Sequence, residues 1–455
     1  MKWFFAASAV AIALLWALAV ATLPDNTADG RTPLSWSTDP NPARRAQIAP
    51  FEEANPDLAI LVEPVTVDKT IIQCSTGVGP DIIEVYSTEQ MVTFIDAGIL
   101  LDLTPYAAKM GFGPESTYPK LVGNLMYEGR QYRYPANAAS QVLMYNKRMF
   151  REAGVAEPSD GMLWDDFIEL IKPLTVKRDS GRGYEQFALL MSKGYARDIH
   201  LQYGAHFFAE NGTVCVLDSP ESIAAMQFFY DLMVKHEVIP TPAAAEALSA
   251  AGGWGVGEIR WFAAEKSACI WGSRWMMVIL RQYPELQKEI GVALLPRMPG
   301  GVPASYSGTR GPGINANSER IDEALRFLQY LASDEYAEVI AMSSDGLPPQ
   351  AAYTEDPSRL LNPKYPWEDF QQKFIDSMSY AEPPEVSPFV SSIVVDRAWT
   401  DAIDNVQNGL MEPEEAMKAA ARTINDRIAA NIAERPDLAE KYRAARRDFD
   451  SPRRD

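Results

Sequence analysis

Hydrophobic positions along the chain change period repeatedly, and the changes mark an alternation of strands and helices. LSWST reads as a short strand ending at Trp36. The polar stretch DPNPARRAQIAPFEEANPD follows, in which Asn41 before Pro42 signals a helix start and Pro50 should bend or shorten that helix. AILVEPV reads as the next strand, DKTIIQCSTGVG as a helix running into a Gly/Pro turn, and Asp81 to Tyr86 as a buried strand. TEQMVTFIDAG predicts a helix closed at Gly98. A strand–helix–strand–helix rhythm with near-continuous apolar strands predicts a parallel α/β sheet.

The same alternation continues. EGR marks a hairpin turn after Tyr127, RYPAN and QVLMYN are extended, and NKRMFREAG starts a helix that ends at Gly154. WDDFIELIKPLT is an amphipathic helix stopped by Pro173, and FALLM is a buried strand. Ser219 caps a helix whose first residue is Pro220, with Ile223, Met226 and Phe229 at helical spacing. SACIW and IGVALLPRMPGG are strands, the second leaving into a Pro/Gly crossover, and TRGPGIN is another extended piece. SERIDEALRFLQYLASDEYAEVIAM reads as one long helical segment broken by Pro348 and Pro349. The remainder is mostly helical, and the charged end KYRAARRDFDSPRRD is expected to fray.

One stretch departs from simple core patterning. GGWGVGEIRWFAAEKSACIWGSRWMM places Trp254, Trp261, Trp271 and Trp275 in two Gly-punctuated clusters. Leu and Ile fill a core more simply, and a buried indole N–H needs a partner. Gly beside Trp lets the backbone come close to something flat. The stretch is either a Trp-rich core under a loop or a set of aromatic faces presented to a ligand.

Composition narrows the classes. A chain of 455 residues is long enough for two domains. A net charge of −19 argues against nucleic acid or anionic lipid held by a basic patch. Residues 1–23 form an apolar run behind Lys2, with small residues at Ala17, Ala19 and Ala21, and read as a secretory signal or an uncleaved membrane anchor. No second run of spanning length follows, so the rest of the chain is expected outside the cytoplasm. Cys215 and Cys269 would pair if their strands were neighbours; the plainer expectation is that they and Cys74 are three buried small hydrophobes.

Catalytic constellations are weak. His200, His206 and His236 lack metal spacing, no G-x-S-x-G occurs, and GGWGVG lacks the Lys-Ser/Thr of a phosphate loop. No signature singles out a carboxylate pair for glycoside hydrolysis. No cofactor or metal is expected. What the chain does offer is aromatic residues at the ends of strands: Trp36, Tyr86, Trp271 and Trp275. Ligands of open α/β sheets bind outside the carboxyl ends of strands. Aromatic faces there, beside Asp, Asn and Arg, suit a sugar.

In order, FEEANPDLAILVE, TGVGPDIIEV, AGILLDLTPY, YRYPANAASQVLMYNKRMFREAGV, FAAEKSACIWGSRW, GVALLPRMPGG, GPGIN and NGLMEPEEAM resemble the family 1 extracellular solute-binding proteins of sugar-importing ABC transporters, the group of the maltodextrin-binding proteins. The resemblance implies a two-lobed periplasmic-binding-protein fold of type II, α/β, each lobe a mainly parallel sheet flanked by helices. The first lobe would take residues 32–139 and 297–345, the second 140–296 and 346–455. Hinge crossovers would let the lobes close on a carbohydrate. Such a protein is a monomeric, exported receptor rather than an enzyme, and docks on inner-membrane permease subunits. Carried over by motif, the ligand contacts are Asp39, Asn41, Glu84, Tyr86, Glu89, Tyr195 and Trp275. Trp36 joins them from its strand end. Ala139 stands where maltodextrin-type proteins carry a Glu, which leaves Asn137 as the nearest polar candidate. Trp254, Arg274 and Arg310 go beyond the family pattern, and the two arginines would donate to vicinal hydroxyls or to a carboxylate. A glycerophosphodiester or sugar acid is the alternative ligand, and an exported carbohydrate-active hydrolase the alternative class.

Overall fold

The computed structural model describes residues 30–64, 66–178, 183–243 and 257–450. The apolar run at residues 1–23 and Trp254 lie outside the described residues. Two large sheets are built from β1 (Thr32–Ser37), β2 (Leu58–Val62), β3 (Ile82–Val85), β4 (Val142–Asn146), β5 (Val176–Lys177), β6 (Tyr184–Leu190), β7 (Ser267–Gly272), β8 (Ile290–Ala293) and β9 (Gly311–Ile314). The first sheet runs in the order β9-β3-β1-β2 and the second in the order β8-β4-β7-β6-β5.

β1 lies parallel to β2 and β3, as the rhythm predicts. The first sheet is parallel in two of its three pairings, as expected, whereas the second is mixed, with one parallel pairing of four. β9 runs antiparallel to β3, and β4 runs antiparallel to both β7 and β8. β6 and β7 are the parallel pair of the second sheet, and β5 is a hairpin partner of β6. The physical reason is connectivity. β4 is the first strand after the chain crosses to the second sheet, and β9 the first after it returns, so each enters from the far side. A strand buried on both faces reads as an apolar run whichever way it points.

Three crossing segments lie edge to edge between the sheets. Ala138 bridges to Leu347 and Ala139 to Gly308, while Ser305–Tyr306 pairs with Ala381–Glu382. Gly346 sits at φ +88, and a Cβ there would meet the Asn137 side chain at 2.9 Å, so the tight crossing requires glycine. Residues just past 345 stay with the first sheet's elements: Thr117 Oγ1 donates to the Pro349 carbonyl at 2.7 Å, and Arg359 pairs with Asp334.

Several local expectations change. The Arg44–Ala54 helix runs through Pro50, held by buried Ile48 and Phe51 on either side. The long helical segment is two helices, Ile321–Leu331 and Asp334–Ser343, because Ser333 caps the second by accepting from the Tyr336 N–H at 3.2 Å. The charged C-terminus is helical over Pro436–Asp450, anchored by Arg446 on Glu210 at 3.1 Å and by Tyr442 edge-on to Phe389. Cys74, Cys215 and Cys269 are free and buried. Cys215 pairs with the Phe208–Ala209 strand and Cys269 lies in β7, so their strands are not neighbours.

The Ala196–Gln202 helix is tied to the crossings by buried Asp198. Asp198 Oδ1 accepts the Tyr306 N–H at 2.8 Å, and Oδ2 accepts the Trp271 indole N–H at 2.9 Å. Burial pushes this carboxyl up to about 7, against the lowering pull of both donors and Arg197. The folded pKa exceeds the unfolded one, so the native state keeps a proton that the unfolded chain releases. That stabilisation is complete below about pH 4 and is lost as the pH rises through about 7. Denaturant unfolding of wild type and Asp198→Asn between pH 4 and 8 should show the wild-type advantage shrinking toward pH 7 and then levelling. A difference independent of pH would place the proton elsewhere.

Candidate functional site

A cavity of about 250 Å³ opens between the two sheets, against the crossing segments. The carboxyl ends of three strands supply its walls. Asp39 and Arg44 follow β1, Tyr86 follows β3, and Ser273 and Trp275 follow β7. Asn137, Gln141, Thr309, Arg310 and Asp345 come from the crossings. Strand ends meeting at a change of sheet make the crevice in which open α/β folds bind ligands.

The floor is a buried ionic network centred on Asp345. Its Oδ1 accepts from Asn41 Nδ2 at 2.9 Å. Its Oδ2 accepts from Arg44 Nη1 at 2.7 Å, Gln47 Nε2 at 2.9 Å and Arg310 Nη2 at 3.0 Å. Arg44 also reaches Asp39 Oδ1 at 2.5 Å, and Arg310 reaches Glu84 Oε2 at 3.3 Å. Burial alone would raise the Asp345 carboxyl, but the Arg310 and Arg44 guanidinium groups hold it well below the usual carboxylate range. For Glu84 burial wins over the same two arginines and pushes the carboxyl up. Buried charges survive only when paired and hydrogen-bonded, and each charged group of this network has a charged partner, although Asp39 Oδ2, Glu84 Oε1 and Arg310 Nε have no hydrogen-bond partner among the described residues.

Of the residues singled out from the sequence, Asp39, Tyr86, Asn137, Trp275 and Arg310 line the cavity. Tyr86 donates its hydroxyl to Asp39 Oδ1 at 3.0 Å and receives the Asp39 N–H at 2.8 Å. The Asn137 amide is spent on the crossings, donating to the Asp345 carbonyl at 2.7 Å and accepting from the Arg310 N–H at 3.2 Å. Asn41 and Glu84 stand one layer back, inside the network. Glu89 points elsewhere, pairing with Arg197 at 2.8 Å beside a separate small cavity lined by Phe207, Phe208 and Tyr306. Tyr195 packs on the second sheet's core.

Two expectations are corrected. Trp36 is fully buried, edge-on to Phe327 at 5.1 Å, with Arg44 and Arg310 each 5.9 Å above its ring, so it supports the guanidinium groups instead of facing a ligand. Arg274 is also buried, and its N–H groups go to Gln371 Oε1 at 2.8 Å and to the carbonyls of Ile340, Ala341 and Gly346 at 3.3, 2.8 and 2.5 Å. It fastens the Trp-rich stretch to the end of the Asp334–Ser343 helix and has little left to offer a hydroxyl. Trp271 is core as well, stacked on Trp164 at 5.6 Å.

Arg44, Gln141, Ser273, Thr309 and Asp345 were missed. Arg44 did carry a signal: two arginines in the first turn of a helix oppose its dipole, which asks for an acidic partner. Asp345 sits in SSDGLPP, which reads only as a helix end and a turn.

The family described as bacterial extracellular solute-binding protein matches residues 35–338. The arabinooligosaccharide-binding protein of Halalkalibacterium halodurans is 26% identical over 314 residues, 65% of this chain and 66% of that protein, so the chain spans just under two thirds of that relative's length. The substrate-binding protein Lmo0181 of Listeria monocytogenes, solved with cycloalternan, superposes with a TM-score of 0.74 at 22% identity, over 88% of this chain and 99% of that one. UgpB of Mycobacterium tuberculosis, solved with glycerophosphocholine, gives 0.72 at 16% identity, over 89% and 100%. These structures share the two-lobed fold. The match across residues 35–338, on a fold of this kind with its cavity between two sheets, makes the chain a member of the bacterial extracellular solute-binding protein family.

Proposed function

We propose that the protein captures a mono- or oligosaccharide in the interlobe cavity and delivers it to the permease subunits of an ABC importer. The lobes, taken as residues 32–139 with 297–345 and residues 140–296 with 346–455 except that the stretch just past 345 packs with the first, close on the ligand about the crossings. No covalent chemistry is involved; the ligand selects the closed state by binding it better. One observation carries this reading. In the cavity that the half-buried Trp275 also lines, Asp39 Oδ2, Gln141 Oε1, Ser273 Oγ and Arg310 Nε are buried without a hydrogen-bond partner among the described residues. An unsatisfied buried polar group is costly. A sugar supplies hydroxyls for such groups and a C–H face for the ring. The named ligands of the Halalkalibacterium and Listeria relatives, an arabinooligosaccharide and cycloalternan, support the sugar class.

The second reading, a glycerophosphodiester or sugar acid, draws on the two cavity arginines and on the glycerophosphocholine held by UgpB. A thermal-shift panel separates the two. It should contain arabinose, glucose, galactose, maltose, cellobiose, glucuronate and glycerophosphocholine. A neutral sugar at a hundred times its Kd should stabilise the fold by roughly 2.7 kcal/mol. Stabilisation by glycerophosphocholine alone would end the sugar reading, and turnover of a glycoside by the purified protein would end the receptor reading.

A further inference from the structure

The cavity floor holds three carboxyl groups, Asp39, Glu84 and Asp345, against two guanidinium groups, Arg44 and Arg310. Both cations are already matched. Arg44 lies between Asp39 and Asp345, and Arg310 between Glu84 and Asp345. Burial favours the protonated form of Glu84, and even then two carboxylates balance two guanidinium groups. Among these five groups no excess positive charge remains for an anion. An incoming carboxylate or phosphate would find only Arg310 Nε outside the ion pairs, could take more only by breaking one, and would meet Asp39 Oδ2, which has no hydrogen-bond partner among the described residues.

We propose that this balance makes the cavity selective for uncharged hydroxyl-rich ligands, and that Asp345 is the specificity-determining residue that enforces it. The proposal rests on the sugar-capture reading and decides between neutral and acidic members of that class. Asp345 acts through the arginines. Its Oδ2 sits between Arg44 Nη1 and Arg310 Nη2, and Gln47 Oε1 accepts from the same two groups at 2.7 and 2.9 Å. Two guanidinium groups in one buried site would repel each other without a carboxylate between them. The Asp345 carbonyl accepts from Asn137, which fixes the residue to the crossing. Asp345 therefore aims both arginines into the floor and leaves mainly Arg310 Nε for a ligand, a donor that suits a hydroxyl oxygen as well as a charged one.

The test is isothermal titration of wild type and Asp345→Asn with matched pairs: glucose and glucuronate, galactose and galacturonate, glucose and glucose 6-phosphate, with glycerophosphocholine as a separate probe. Wild type should favour the neutral member of any pair it binds by about tenfold or more, since discrimination needs only one uncompensated like-charge contact. Asp345→Asn removes one negative charge at nearly constant shape and should narrow that ratio by about tenfold, whatever happens to the absolute affinity. A purely structural role would weaken both members alike and leave the ratio unchanged. If the variant does not fold, the wild-type ratio still decides, because a preference for the uronate or the 6-phosphate overturns the proposal. That result, or an unchanged ratio in a folded variant, leaves sugar capture standing. Binding of glycerophosphocholine with no sugar of either kind, in the titration or in the thermal-shift panel, removes the sugar reading and the proposal together, as does failure of every sugar in both.

Discussion

Replacing Arg274 by Met is expected to lower the unfolding free energy by about 3–5 kcal/mol, the range found when one partner of a buried charged contact is removed. Met roughly conserves the apolar stem, so the loss isolates the guanidinium head. That head is 1% exposed and makes four hydrogen bonds. Three go to main-chain carbonyls at the end of the Asp334–Ser343 helix, where orphan acceptors and the negative end of the dipole favour a cation. The fourth goes to Gln371, which in turn donates to Glu368 at 3.1 Å, and Glu368 pairs with Arg281 at 2.7 Å. Burial, helped by Arg281, pulls the Arg274 pKa down to about 9 against Glu368, so the group is still charged at neutral pH. Removing it strands buried carbonyls, each worth about 1–3 kcal/mol if water cannot reach it. Urea denaturation followed by intrinsic fluorescence measures the change. An unaltered midpoint would mean that the carbonyls find other donors and that Arg274 fastens nothing.

This residue also shows where sequence reasoning stops. A cation beside a tryptophan at a strand end looks the same whether its side chain turns into the cleft or into the crossing. Trp36 poses the same ambiguity: its strand end was correctly placed, yet Phe327 and the two arginines enclose the ring. Local patterns did mark most of the strands, because short apolar runs such as IIEV and SACIWG, bounded by turn signals, are too short for helices. They did not give strand direction, which depends on the route between lobes. Nor did they give the centre of the site. Asp345 lies 301 positions from Arg44 and 35 from Arg310, and only the fold brings the three together. Asn41 and Glu84, drawn to the cleft by motif, lie outside the cavity lining, and their polar atoms serve the network behind it.

Trp275→Ala should weaken sugar binding by about a hundredfold or more while costing less stability than Arg274→Met, because the lost face belongs to the ligand and the ring is only half-buried. The expectation follows from how the ring is held. Trp275 lies in a single helical turn, Arg274–Met276, that starts directly after β7 and Ser273. On one side Arg274 is pinned to four acceptors, and on the other Met276 is buried. Gly272 lets that turn fold tightly, since a Cβ there would meet Met276 Sδ at 2.4 Å. The ring is thus fixed before the ligand arrives, so stacking costs little ordering entropy. Opposite it, Asp39, Gln141 and Arg310 supply the unspent polar atoms that fix the hydroxyls. Trp275→Phe keeps an aromatic face and should recover part of the affinity, whereas Trp275→Leu keeps only hydrophobic area and should recover less. Titration calorimetry with a sugar that stabilises the wild type in the panel reads all three variants. Equal affinity for Trp275→Ala and wild type would move the ligand out of this cavity. A loss equal in Trp275→Phe, Trp275→Leu and Trp275→Ala would make the residue a packing element of the turn and not a surface on which the sugar lies.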